Sequence, residues 1–167
     1  ITTGVRNVLI GGLTGDALTD ADDNTALGMD ALSADTLGSK SVAVGKGALN
    51  VQNFTTATDT YNTAVGYSAG AAVTTGTNNT LLGGQTGDAL TTGAGNTFLG
   101  VGAGGAESTG NNNVLVGIAG VAQTLTSDTV AVGDGALLGN IKSAKNTAIG
   151  RSALRVHTFA TATDGYN

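Results

Sequence analysis

The feature that leaves this chain least freedom is a short phrase, an Asn, three residues apolar or Thr, then a Gly, which returns along all 167 residues. Asn62-Thr63-Ala64-Val65-Gly66 is its clearest copy. The closing glycines are Gly11, Gly28, Gly45, Gly66, Gly83, Gly100, Gly117, Gly133 and Gly150. They are 17 residues apart except for one step of 21, from Gly45 to Gly66, and one of 16, from Gly117 to Gly133. Self-similarity at a short fixed period predicts a solenoid, in which each copy is one rung that buries its apolar side by stacking on its neighbours. The expected fold is all-β, a repetitive parallel β-roll or β-solenoid of about 17 residues per rung.

Within the phrase, the residues one and three before each Gly are strand formers rich in β-branched side chains, such as Val42 and Val44, Thr80 and Leu82, or Val114 and Val116. The residue between them is Leu9, Ala26, Ala43, Ala64, Leu81, Phe98, Leu115, Ala131 or Ala148, and is never polar. Side chains alternate across a strand, so both faces are apolar. One face lines the roll, and the other must be covered by something else, most simply an identical chain. The sequence does not say which face is which. The Gly is expected at a corner that needs positive φ or close backbone approach. The Asn four residues earlier, at Asn7, Asn24, Asn62, Asn79, Asn96, Asn113 and Asn146, is expected to stack in a hydrogen-bonded ladder, with Ser41 and Thr129 as exceptions. A small residue three after each Gly suits a second, closely packed strand. Helix is disfavoured, because Gly and β-branched residues recur without a 3.6-residue apolar stripe.

A longer period lies above the first. Residues 145–167 align with 40–62 at an offset of 105, matching Lys145 to Lys40, Phe159 to Phe54, Asp164 to Asp59 and Tyr166 to Tyr61. One super-repeat is thus six rungs. Residues 1–167 read as a single repeat domain, a window of a longer fibre in which 62–166 is one full super-repeat. The array is expected to continue past Asn167 with a further T-A-[VI]-G. Phe54, Tyr61, Phe159 and Tyr166 mark the wider rung, where they suit either an exposed contact patch or a plug for the larger turn, the plug being favoured.

Composition narrows the chemistry. With 28 Gly, no Pro, no Cys, no Trp and few aromatics, the core is narrow and its backbone N–H groups are free to serve in ladders. A net charge of −5 argues against a nucleic-acid or anionic-membrane surface, and the apolar run at 114–122 is too short to span a bilayer as a helix. Gly100-Val101-Gly102-Ala103-Gly104-Gly105 spells a dinucleotide loop, but the helix and acidic residue of that motif are missing and the rung period accounts for the glycines. His157 is the only His, with Gln52 at its place one super-repeat earlier, and reads as a surface residue. Asp20-Ala21-Asp22-Asp23-Asn24 lacks the Gly and Glu of a calcium loop and reads as a solvated turn. The sequons Asn53-Phe54-Thr55 and Asn78-Asn79-Thr80 carry no information without a secretory context. No catalytic, cofactor-binding or metal-ligating residue is expected.

Ser41-Val42-Ala43-Val44-Gly45 and Thr129-Val130-Ala131-Val132-Gly133 resemble the NSVAIG core of trimeric autotransporter adhesin heads. Asn62-Thr63-Ala64-Val65-Gly66-Tyr67-Ser68-Ala69-Gly70 is similar to the NTAIG repeats of phage tail fibres and related appendages. The resemblance implies a left-handed, trimeric parallel β-roll, and with it a structural shaft segment of an extracellular fibre mediating attachment. Its partners would be two more copies of itself in a longer filament and a host or surface receptor engaged through a tip outside these residues. An alternative under the same resemblance is an adhesin head that binds a surface ligand directly. A ligand-binding module would need one chemically distinctive loop, whereas the loops are mostly Thr, Gly and Asn. A solenoid enzyme would need clustered carboxylates in a groove, and no rung offers them.

Overall fold

The computed structural model describes residues 1–117, 127–139, 141–155 and 158–164. Its strands are β1 (Val8–Ile10), β2 (Thr25–Leu27), β3 (Gly38–Ser39), β4 (Val42–Val44), β5 (Thr58–Asp59), β6 (Thr63–Val65), β7 (Thr80–Leu82), β8 (Thr97–Leu99), β9 (Val114–Val116), β10 (Val130–Val132), β11 (Ile141–Ala144), β12 (Thr147–Ile149) and β13 (Thr158–Asp164). Each repeated phrase supplies one three-residue strand. These nine form one parallel sheet in the order β1-β2-β4-β6-β7-β8-β9-β10-β12. Register is kept throughout, Ala43 facing Ala64 and Phe98 facing Leu115, so the chain is a parallel β-solenoid with a step of about 17 residues. Stacked at about 4.8 Å, nine rungs make a rod segment on the order of 40 Å long.

At the phrase glycines both reasons for Gly hold at once. Gly66 has φ 143°, and a Cβ built on it would land on the carbonyl of Gly83 in the next rung. The same near-contact runs up the column, Gly28 onto Gly45 and Gly83 onto Gly100. Three further columns also turn left-handed, at positions five before, two after and four after each Gly. Every non-glycine residue of positive φ among the described residues falls in one of them, including Leu13, Lys40, Tyr61, Gln85 and Leu137.

Those columns correct one expectation. The small residue three after the Gly is buried at Ala31, Ala69 and Ala103, but among the described residues the segment carrying it is a series of turns rather than a second strand. Left-handed residues on both sides of it cannot lie in an extended ladder. The rungs still bond to one another there, Leu32 N–H to Ala48 O at 3.0 Å and Gly70 N–H to Thr86 O at 2.9 Å.

The inner face is now assigned. The middle residue of each strand points inward, and Ala26, Leu81, Phe98 and Leu115 are essentially inaccessible. Opposite it, four residues after the Gly, the described rungs place a residue of complementary size. Leu81 and Phe98 share their rungs with Gly87 and Gly104, whereas Ala26, Ala43, Ala131 and Ala148 share theirs with Leu32, Leu49, Leu137 and Leu154. A Cβ on Gly104 would strike the Phe98 ring. The one doubly small rung, Ala64 with Gly70, is filled from its neighbours, since a Cβ on Gly70 would lie 2.7 Å from Leu81 Cδ1 and 3.0 Å from Leu49 Cδ2. Close packing explains the trade, because each rung has room for about one large side chain.

Phe98→Ala is expected to cost about 3–5 kcal/mol in denaturant unfolding, the usual range for emptying a buried aromatic site. Adding Gly104→Leu should recover part of that loss, because the column already holds Leu32 and Leu137 at φ 53° and 55°. In the parent, Gly104→Leu alone should be destabilising. Additive losses in the double variant would overturn the size-trading account.

Candidate functional surface

Inside the coil the phrase Asn residues form the expected kind of ladder. Asn79 is buried, its Nδ2 donates to Gly93 O at 2.9 Å, and its Oδ1 accepts the Asn96 N–H at 3.0 Å. Asn24, Asn62 and Asn96 repeat the pattern towards Gly38 O, Gly76 O and Gly110 O. A primary amide is suited to this, because it donates to one backbone group and accepts from another without bringing in charge. At Ser41 the hydroxyl is too short, and a buried side-chain network takes over. Gln52 Nε2 donates to Asp35 Oδ2 at 2.6 Å and to Ser41 Oγ at 2.9 Å, Ser41 Oγ meets Thr60 Oγ1 at 2.6 Å, and Asn62 Nδ2 donates to Gln52 Oε1 at 2.8 Å. Asp35 Oδ1 also accepts the Gly38 and Phe54 N–H groups, so this buried carboxylate is held by three donors. Sequence reading missed this network. The signal lay in the column seven after each Gly, where Asp35, Gln52 and Glu107 interrupt Leu18, Val73 and Leu90.

The network sits where the rung widens. Leu37 N–H donates to Phe54 O and Leu37 O accepts the Thr58 N–H, so the chain leaves the coil after Phe54 and rejoins it at Thr58 around one residue of the rung below. Residues 55–57 project as an exposed loop. β3 and β5 pair beside it, Gly38 to Thr58 and Ser39 to Asp59, and the β11–β13 pairing of Ser143 to Thr163 and Ala144 to Asp164 stands at the same 105-residue offset. The aromatics of the wider rung part company. Phe54 is 7% exposed, at the point where the chain enters the loop, whereas Tyr61 is 54% exposed. Phe159 lies in β13, and Tyr166 and His157 lie outside the described residues.

Charged side chains bridge neighbouring rungs on the same edge as Tyr61. Arg6 pairs with Asp23, and Lys40 Nζ lies 2.5 Å from Asp59 Oδ2 and 5.3 Å from the centre of the Tyr61 ring. The Arg6 hydrogen bond holds the Asp23 carboxyl below its ordinary value, and bonds to Asp59 and then Tyr61 hold the Lys40 ammonium above its own. A lowered acid stabilises the fold above its unfolded pKa, so the Asp23 contribution fades as pH falls below about 3.8. The Lys40 contribution fades only as pH rises past 10.5. Both pairs are solvent-exposed and add little. The would-be calcium loop is engaged elsewhere, Asp20 with Thr3 and Asp22 with the Val5 N–H. Among the described residues no group of three His, Asp or Glu converges on a common point, and no helix is long and apolar enough to cross a membrane.

The largest feature is the outer face of the nine-stranded sheet. The residues flanking each inward side chain point outward, and Ile10, Leu27, Leu82, Leu99 and Ile149 are exposed. Along the sheet the position before the Gly is Ile, Leu or Val in every rung, and the position three before it is Val or Thr in every rung. No charge interrupts either column. An uncharged stripe of this length, aliphatic in one column and Val or Thr in the other, is unusual for a solvated surface and is the candidate for an interaction surface.

Asn79→Ala should remove its bonds to Gly93 O and from the Asn96 N–H and leave those buried backbone groups unpaired, at a cost of about 2–4 kcal/mol by chemical denaturation. Thr75→Ala, at an exposed turn position of ordinary backbone in the same rung, should be nearly neutral; equal losses for the two would overturn the ladder's role. Comparison with family models, with curated proteins and with solved structures gives no match.

Proposed function

We propose that this chain is a structural shaft segment of a trimeric, extracellular attachment fibre, of the kind carried by phage tails and similar appendages, with no catalytic activity. The observation that carries the reading is the uncharged aliphatic stripe running the whole length of the nine-stranded sheet. Its ridges recur at the rung spacing, so a well-fitting cover must have the same spacing, as a second copy of the chain does by construction. About 40 Å of rod by the about 13 Å between the ends of the five-residue phrase gives on the order of 500 Å² per chain, or about 1,000 Å² over both partners, the lower bound of a specific interface. Because the stripe is free of charge, copies that each carry a net charge of −5 meet there without burying like charges. A homotrimer of parallel, left-handed rolls is the arrangement implied by the adhesin-head and tail-fibre resemblance. Attachment to a receptor would then belong to a tip beyond these residues, with the shaft giving reach and stiffness.

Sedimentation of the segment at micromolar concentration should report three chains, and a cooperatively folded monomer would overturn the reading. Two neighbouring substitutions separate folding from association. Phe98→Asp should abolish folding, since it puts an unpaired charge inside the coil. Leu99→Asp, on the outer face, should leave β-structure by circular dichroism and shift the sedimenting species towards monomer. Chelation should leave the melting transition of the wild type unchanged.

A further inference from the structure

The outer face is nearly the same at every rung, and that creates a problem for any assembly built on it. A surface of repeating Val, Thr, Leu and Ile would bind a copy of itself almost as well after sliding by one rung, about 4.8 Å, as in level register. A landmark is needed to choose. The one rung that differs is that of β6, where Tyr61 stands just before Asn62 and Tyr67 just after Gly66, one at each end of the exposed strand. They are 54% and 58% exposed. At the same two positions no other described rung has an aromatic residue.

Tyr61 is held in place before any partner arrives. Its backbone is left-handed at φ 51°, Lys40 Nζ lies over its ring, and its hydroxyl is 3.3 Å from Asp59 Oδ2. A large, pre-ordered side chain loses little entropy on contact, which is why tyrosines recur as anchors of interfaces. Resting on the trimer reading above, we propose that Tyr61 and Tyr67 are the axial register key of the assembly, and that their partner is the equivalent rung of a second copy of this chain. In level register the tyrosine-bearing rungs of neighbouring chains meet. One rung of slip sets the pair against Asn78 and Gly84 in one direction, or against Lys40 and Lys46 in the other. Neither offers an aromatic face, and the second brings two ammonium groups to a surface that must shed water. Tyr166 stands 105 residues after Tyr61 in the sequence, so the Tyr61 half of the landmark recurs six rungs on, and a slip of fewer rungs leaves it unmatched.

The test places a thiol-linked benzophenone on Val101→Cys, an exposed site on the Tyr67 flank two rungs away, in a chain that has no other cysteine. Isotope-labelled and unlabelled chains are mixed before irradiation, so that inter-chain products are identified by mass. With the parent tyrosines, products should be confined to the rungs closed by Gly83, Gly100 and Gly117. With Tyr61→Ala and Tyr67→Ala together they should spread in both directions, to the Gly66 and Gly133 rungs, at unchanged sedimentation, and with Tyr61→Phe and Tyr67→Phe they should stay confined. Confinement in the alanine variant, or spread in the parent, overturns the key. A parent that sediments as a monomer overturns the trimer itself, so the two failures are distinct.

Discussion

Everything in this chain depends on one constraint: the backbone of each rung finds its hydrogen-bond partners in the rungs above and below. The Thr63 N–H donates to Asn79 O and the Gly66 N–H donates back to Val44 O, each at 2.8 Å, and the same pair of bonds recurs along the coil. A rung that departs from its neighbours' path leaves buried amides unpaired, at a cost of about 1–3 kcal/mol each. Geometry is therefore copied from rung to rung, and a residue allowed at a position once is allowed there throughout. This is why left-handed backbone runs in columns, and why the strain of a non-glycine residue at Lys40 or Leu137 is tolerated as part of a stack that over-determines it.

The same constraint decides how much could be read from the letters. The 17-residue step, the strand in each phrase and the corner Gly were all legible, because a copied backbone writes its steric demands into the sequence at fixed spacing. Which strand face lines the coil was not legible, since Ala43 between Val42 and Val44 gives three apolar residues whichever way the strand turns. Only the closing of the coil assigns Ala43 inward. The false second strand failed for a related reason. Leu13, Leu32 and Leu49 look like strand residues, and nothing in their letters reveals a left-handed backbone that the stack imposes.

Other features were present in the sequence but visible only down columns instead of along rungs. Leu9 over Gly15, Ala26 over Leu32 and Phe98 over Gly104 form a size trade that neither column shows alone. Asp35 and Gln52 look like ordinary loop residues in a single rung, yet they occupy the same inward column as Leu18 and Leu90 and are just as buried. Their polarity answers the missing Asn at Ser41. A coil that widens to admit residues 55–57 needs donors and acceptors there that an aliphatic side chain lacks.

The inner and outer faces of the sheet obey opposite rules, and the contrast bears on what the molecule is for. Inside, side-chain volume swings from Ala to Phe between rungs, because the opposite wall of the same rung compensates locally. Outside, one column holds only Val and Thr and the other only Val, Leu and Ile, although no wall of this chain constrains them. Solvent alone would accept charged or long polar residues at those positions, as it does at Arg6, Lys46 and Arg151 at the ends of the same strands. Val and Thr share a shape while differing in polarity, so what has been held fixed at that column is contour. Fixed contour on an exposed face, repeated at the rung spacing, is the requirement that a packed partner of the same periodicity would impose, and the proposed association of copies along the rod rests on it.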